Sequence, residues 1–323
     1  MSNMIQYVPS TQIRQFAEGK SMKAQTPEDK KRIEAYNKTL DQYPKPSVTA
    51  DIIAVRPAYS ELDEGQWREN PKFGLEVLFI KRGQWPFEGC WALPGGFVRG
   101  EKKKDGVVVG KESVRDCAMR ELREETHLDA AHLIPIGVFS KPDRDMRTWI
   151  ISNAFVCVYR RGEGDQVRGG DDAAMAKWLR LESPSIGGGT FDLPFYEDGK
   201  LVFQLTGTYH EEDLDGGTIT SVDDNPLAFD HAEIIAQAFL RMLSFDKKKL
   251  VFFFLPEKFT LSNYIGVYEY LTRQTIDLSH IPSFRRQLTD TKNAILEVCK
   301  GEWEDLGGRG HAPAKLYRRK VVS

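Results

Sequence analysis

A crowd of carboxylates on one face of one helix constrains this chain more than any other feature of its sequence. The segment runs Glu112-Ser113-Val114-Arg115-Asp116-Cys117-Ala118-Met119-Arg120-Glu121-Leu122-Arg123-Glu124-Glu125. Ser113 followed three residues later by Asp116 is a capping-box pattern, which predicts that a helix starts there. At about 100° per residue, Glu121, Glu124 and Glu125 fall within an arc of roughly 100°. Like charges held so close repel unless a cation sits among them. Hard oxygen ligands presented this way suit Mg2+ or Mn2+, which keep several waters and also hold substrate phosphates. The plainer alternative is a solvated helix face laced by pairs such as Arg120–Glu124. Context favours the metal. An apolar strand over 75–82, the turn Leu93-Pro94-Gly95-Gly96-Phe97 and a charged loop precede the helix. That strand–loop–helix order brings glycine backbone close to the acids.

The rest of the chain divides by pattern. Thr26-Pro27-Glu28-Asp29 predicts a helix start, and Tyr43-Pro44-Lys45-Pro46 ends that helix near Gln42, so residues 1–46 read as an N-terminal extension. Strands are expected at 48–55 and 75–82, joined as a hairpin, then at 137–140, 149–159 and 176–181. The 149–159 strand is too apolar to lie at a sheet edge. Residues 183–225, rich in Gly, Asp and Ser, read as an insertion carrying a hairpin at 201–210. From Asp230 the pattern turns helical, with helices at 231–245, at 261–273 after an N-cap Thr260, and near 280–298. A Gly-rich hairpin at 307–319 follows. The expected units are therefore 1–46, a β-rich domain over 47–228 and a helical domain over 229–323.

Charge supports that division. The whole chain carries 45 Lys and Arg against 47 Asp and Glu, a formal −2. Residues 246–323 alone hold 14 basic against 9 acidic residues, leaving 31 against 38 for the remainder. The near-neutral total thus averages an acidic body and a basic end, and that end leaves a nucleic-acid partner open. Apolar residues at 41% and charged residues at 28% exclude wholesale disorder. The six-residue run Leu250–Leu255 falls well short of the about twenty residues that a bilayer helix needs. The first residues show no basic stretch leading into an apolar core, so no secretory signal is expected. Four separated cysteines (Cys90, Cys117, Cys157, Cys299) read as buried thiols of a reducing, cytoplasmic compartment.

The carboxylate segment resembles the Nudix box, written G-x5-E-x7-R-E-U-x-E-E-x-G-U with U aliphatic. Glu112, seven residues, Arg120-Glu121-Leu122-Arg123-Glu124-Glu125-Thr126 and then His127-Leu128 follow it almost throughout. Two departures stand out. The spacing from Gly96 to Glu112 implies an insertion of about nine residues near 99–108. His127 replaces the glycine near the helix end, where a left-handed cap suits glycine best. The resemblance implies that Glu121, Glu124 and Glu125, assisted by Glu112, hold Mg2+ (or Mn2+), with Arg120 orienting them. Catalysis would rest on Glu124, Glu125 and Arg120. Glu163 is a candidate base, although a loop Glu is more often merely solvated. Gly95 and Gly96 would lie against the substrate.

Further segments narrow the branch. Lys141-Pro142-Asp143-Arg144-Asp145-Met146-Arg147, Gly170–Ala174 before Trp178, and Pro226–His231 resemble ADP-ribose-type Nudix domains. They resemble still more the Nudix-related transcriptional regulators, in which such a domain is fused to a C-terminal winged helix. The implied fold is α+β, a Nudix α/β/α sandwich with a mixed sheet plus a winged helix-turn-helix domain. Asp143, Arg144 and Arg147 would face the diphosphate or ribose, or else staple their own turn. Trp178 reads as core rather than a base-stacking platform. Leu255–Leu261 and Phe284–Leu288 resemble the entry and recognition helix, and 307–319 the wing. Arg285 and Arg286 would then meet bases or phosphates, and Arg309, Lys315 and Arg318 the backbone. Winged helices also serve as protein-interaction modules, and pairing into a homodimer is expected on either reading. The resemblance favours an Mg2+-dependent hydrolase of a nucleoside diphosphate derivative, best ADP-ribose to AMP and ribose 5-phosphate. Its rival is a DNA-binding regulator of NAD or sugar metabolism whose Nudix domain only senses such a ligand.

Overall fold

In the computed structural model the described residues are 27–320, except 41, 60–72, 101, 105–106, 131–132, 161–162, 165, 168, 170–172, 212–216, 245, 273, 291, 293 and 305–312. Two compact units result, 1–46 and 47–323. In the first, helix α1 spans Pro27–Leu40. The Thr26 cap and the Gly170–Asp172 segment lie outside the described residues.

The second unit is built on a strand buried on both faces. Strand β1 (Ser47–Tyr59) pairs antiparallel with β2 (Phe73–Arg82), the hairpin-like partnership that the sequence predicts. On its other side β1 pairs in parallel with β8 (Ile150–Val158), and β8 pairs with β7 (Leu133–Phe139). Such a strand must be apolar at successive positions rather than alternating, and Ile52-Ile53-Ala54-Val55 is. Ile52 and Ala54 pack with Ala118 and Leu122 of helix α2 (Val114–Thr126). Ile53 and Val55 pack with Ile234, Ile235 and Phe239 of helix α3 (His231–Ser244). The result is a mixed sheet covered by a helix on each face, an α/β/α sandwich. Helix α3, the first of the run that starts at Asp230, thus serves this sheet.

The segment 183–225 extends the same sheet. Beyond β2 come β9 (Ala173–Leu181), β11 (Thr190–Glu197), β12 (Lys200–His210) and β13 (Thr218–Asp223), with a short β10 (Ser185–Gly187) on β11. The hairpin expected inside 201–210 is instead one continuous strand with partners on both sides. Gly207 marks a close approach rather than a turn: a Cβ there would meet the Phe191 ring at 2.6 Å. Phe79, Phe195 and Phe203 meet with ring centroids 5.1 Å apart, joining this extension to the core. Short strands β3 (Trp91–Ala92) and β4 (Gly95–Phe97) pair with β2 and β1. The insertion between Gly96 and Glu112 forms its own small ribbon, β5 (Lys102–Lys104) with β6 (Val107–Gly110).

The C-terminal part is a winged helix. After helix α4 (Lys247–Leu250) a short strand β14 (Phe259–Thr260) leads into helix α5 (Leu261–Thr272), then α6 (Ile281–Thr289). Strands β15 (Leu296–Glu304) and β16 (Ala314–Arg319) complete a three-stranded sheet. Thr260 caps α5 from the predicted position, its Oγ1 accepting the Asn263 N–H at 3.2 Å. The third helix ends nine residues sooner than its expected limit of 298. The polar run Asp290–Asn293 offers no apolar residue for a helix face, and Leu296 and Cys299 turn inward from a strand instead. The wing is therefore the β15–β16 pair, broader than 307–319. Among the described residues no helix is long and apolar enough to cross a membrane. All four cysteines are free, and Cys117, Cys157 and Cys299 are buried.

Helix α2 ends as its sequence foretells. His127 sits at φ 59°, in the left-handed region, and its N–H donates to the Arg123 carbonyl. Its side chain is exposed, so the strained backbone is not offset by packing. His127→Gly is expected to raise stability by about 1 kcal/mol, read as a higher urea midpoint at unchanged slope.

Candidate functional site

The glycine turn and helix α2 face each other across the mouth of β1. A Cβ on Gly95 would meet the Asp51 carboxylate at 2.6 Å, and one on Gly96 would meet the Glu121 carboxylate at 2.5 Å. At Gly95 any side chain would also strike the Ala50 carbonyl, so glycine is required there, whereas at Gly96 a side chain would displace the Glu121 carboxylate. The Gly95 N–H donates to Glu125 Oε2 at 2.9 Å, so the turn and helix are tied together at the acids. Beside them opens a cleft of about 420 Å3 lined by Glu121, Glu124, Glu125, Gly95, Gly96, Phe97, Arg82, Arg99, Arg144, Arg147 and Phe229.

Arg120 organises the acids. Its guanidinium donates to Glu112 at 2.7 Å, to Glu121 at 2.5 Å and to Glu124 at 2.9 Å, and also to the Phe97 carbonyl at 3.0 Å. Arg99 adds a second bond to Glu124 at 3.0 Å, and its backbone N–H donates to Glu112 at 2.6 Å. Burial by itself would raise the Glu112 carboxyl, but the Arg120 and Arg99 bonds and charges hold it below the usual range. At Glu121 burial, with Glu124 close by, wins and raises the carboxyl despite Arg120. Among the described residues no three acidic, His or Cys side chains are already closed around one point. Glu112, Glu121 and Glu124 instead share two guanidiniums, while Glu121, Glu124 and Glu125 still line the cleft. Crowded hard oxygens with a raised carboxyl among them fit a divalent cation.

The segment 141–147 divides among several tasks. Arg144 is buried and grips Asp230 with two bonds of 2.8 and 2.6 Å and Asp51 with one of 3.3 Å. It staples the loop to β1 and the start of α3, the structural one of the two readings, although it borders the cleft. Asp143 is exposed and is not among the cleft-lining residues. Arg147 does face the cleft, held by Asp145 at 2.7 Å and lying over Phe97 and Phe229 at 5.3 and 5.5 Å from the ring centres. Glu163, expected as a base, does not line the cleft. Its carboxylate accepts the Arg160 N–H at 2.8 Å, closing an exposed turn that is not part of the cleft wall. Trp178 packs into the core beside Tyr159, as its solitary position in the sequence suggests.

At the basic end, Arg285 and Arg286 stand exposed on α6. Lys315 lies over the Trp303 ring at 5.6 Å, and Arg318 is paired with Glu297. Arg309 lies outside the described residues. The Glu297 pair leaves Arg318 less of its charge for a partner than sequence reading assigned to it.

Several cleft residues escaped the sequence reading. Asp51, in the middle of an apolar strand, accepts the Ser152 hydroxyl at 2.5 Å as well as Arg144. Its one signal was an acid interrupting Val48–Val55. His231 is fully buried: its Nδ1 accepts the Leu93 N–H at 2.9 Å, and its Nε2 lies 3.7 Å from Asp51. Arg82 lies over the Phe229 ring at 5.0 Å. The buried Thr49 hydroxyl borders the cleft and has no hydrogen-bond partner among the described residues.

Comparison with known proteins agrees with this geometry. Residues 67–198 match the NUDIX domain. The ADPR responsive transcriptional repressor NtrR of Acinetobacter baylyi is 25% identical over 281 residues, covering 86% of this chain and 86% of the repressor. An ADP-ribose pyrophosphatase of Methanocaldococcus jannaschii is 39% identical over 108 residues, which are 33% of this chain and 56% of that enzyme. A MutT/nudix family protein from Enterococcus faecalis shares the fold, with a TM-score of 0.55 at 24% identity over 98% of this chain and 100% of that one. This chain contains a Nudix domain, and over its length it resembles the Nudix-related regulators.

Burial lowers the pKa of His231 below the ordinary 6.5, although Asp51 and Asp230 pull the other way. The unfolded chain therefore takes up this proton at a higher pH than the folded one. The associated stability is complete above about pH 6.5 and is lost as pH falls below it. Urea midpoints should fall between about pH 7.5 and about pH 5.5, and His231→Asn, whose Oδ1 can still accept from Leu93, should show a shallower fall.

Proposed function

We propose that the cleft is the active site of an Mg2+-dependent hydrolase of a nucleoside diphosphate derivative, with ADP-ribose giving AMP and ribose 5-phosphate. One observation carries the reading. Glu121, Glu124 and Glu125 of a single helix line the same cleft as the Gly95–Gly96 backbone and the Phe97, Phe229 and Arg147 side chains. Magnesium would be held by Glu121, Glu124 and Glu125 with Glu112 in support; when bound it polarises phosphoryl oxygens and acidifies a water.

The chain's own residues supply the rest. Arg120 keeps the acids apart from one another and oriented. Glu124, at 36% side-chain exposure the most open of the Arg120-bound acids, is the one whose carboxylate also reaches solvent and would meet substrate and water. Gly95 and Gly96 let the diphosphate approach backbone without a Cβ in the way. Arg147 offers positive charge to the diphosphate, and Phe97 and Phe229 offer flat apolar surface to the nucleoside. The Thr49 hydroxyl gains a partner once a polar ligand is bound.

A second reading has its own observation. Arg285 and Arg286 are exposed on the second helix of a winged helix, the position from which such domains enter a DNA major groove. The lengthwise likeness to an ADPR responsive repressor supports an ADP-ribose-controlled DNA-binding regulator. The two readings combine in a regulator that destroys its own ligand.

Incubation with ADP-ribose and Mg2+ should release AMP, and Glu124→Gln should lower kcat on the order of 10²-fold or more. No turnover by the wild type on a panel of nucleoside diphosphate derivatives would sink the hydrolase reading. For the regulator, Arg285→Ala with Arg286→Ala should weaken binding to DNA from the protein's own upstream region. The slope of log affinity against log salt should flatten by about 2. Unchanged binding would remove α6 from the DNA interface.

A further inference from the structure

A second cavity, of about 390 Å3, lies away from the Nudix cleft, where the large sheet, helix α3 and the winged helix meet. Its walls come from all three: Leu75 from β2, Phe239 and Met242 from α3, and Leu271 from α5. Tyr270 is fixed in the wall, edge-on to Phe73 at 5.1 Å, with its hydroxyl donating to the Leu181 carbonyl at 3.4 Å. Among the described residues, the one charged group on the lining is Lys247, half-buried at the start of α4.

That lysine is out of place without an anion. No carboxylate lines the cavity among the described residues. The acid next to it in sequence, Asp246, is turned the other way: it caps the Lys248 N–H at 3.1 Å and lies 3.7 Å from Lys249 Nζ. Burial pushes the Lys247 ammonium below its ordinary pKa, and among the described residues no opposing charge restores it. A partly desolvated cation beside apolar walls is stabilised by an anion that carries its own apolar body. The cavity volume lies within the range of small-molecule sites, which are largely apolar with a few placed polar groups.

We propose that this cavity binds a small carboxylate with an apolar body, the carboxylate on Lys247 and the body among Phe239, Met242 and Leu271. The site is separate from the Nudix cleft and its chemistry differs from it, with one cation and mostly apolar walls. Because α3 belongs to the sheet and α5 to the winged helix, an occupant packs against both at once. A ligand here therefore couples to whichever placement of the winged helix leaves the cavity open.

Calorimetric titration of the full chain with sodium hexanoate, against hexan-1-ol and hexylamine, tests this. Hexanoate should bind, hexan-1-ol should bind at least about tenfold more weakly for lack of the charged bond, and hexylamine should not bind. Lys247→Met should reduce hexanoate to the affinity of hexan-1-ol, and Lys247→Arg should restore the preference. Met242→Trp, which fills the cavity, should abolish binding of both; if it fails to fold, the two Lys247 variants still decide. Hexanoate binding no better than hexan-1-ol, or unchanged in Lys247→Met, would overturn the proposal.

Discussion

A buried knot of charge at the mouth of β1 holds the molecule's functional half in place. Asp51 accepts from Arg144 and Ser152, Arg144 also grips Asp230, and His231 lies between Asp51 and the Leu93 backbone. These residues come from one strand, one loop, a neighbouring strand and the first turn of α3. Removing either partner of a buried pair leaves an uncompensated charge, typically a loss of about 3–5 kcal/mol. The knot thus fixes where the glycine turn lies, because Leu93 is two residues before Gly95. Position of the glycines in turn sets the distance between backbone and the Glu121 and Glu125 carboxylates.

Around that fixed point two kinds of electrostatics coexist. In the knot every charge has a buried partner, and its role is geometric. On α2 the acids outnumber the guanidiniums that serve them, and Glu124 stays half-open to solvent. A buried network stores position, whereas one left partly open to solvent keeps an affinity for a further cation. Both sets line one cleft, so the rigid one places the hungry one.

The winged helix packs against the large sheet through apolar contact. Phe73 at the start of β2 meets Phe254 and Tyr270 edge-on, and one continuous core cluster runs from the sheet into the winged helix. The cavity with Lys247 is an interruption in this seam. A seam of aromatic side chains transmits displacement because close-packed interiors have few intermediate arrangements.

Much of this was legible in the sequence. The Ser113 capping box, the left-handed cap at His127, the two-faced burial of Ile52–Val55 and the cap at Thr260 follow from local stereochemistry and periodicity. The acids on one face of α2 follow from helical geometry alone. Other features depended on partners far along the chain. The segment 201–210 read as a hairpin but is one strand paired on both sides, and the third helix was expected to run on to 298 until Leu296 paired into a sheet instead. Glu163 looked free as a base until its own turn claimed it, and Arg144 looked free for substrate until Asp230, 86 residues away, claimed it. The sequence by itself determined which residues could carry negative charge on one helix face, because that needs only about 3.6 residues per turn. The tertiary structure alone decided which charges are spent on one another and which remain for a ligand, because that depends on contacts between segments that local sequence does not encode.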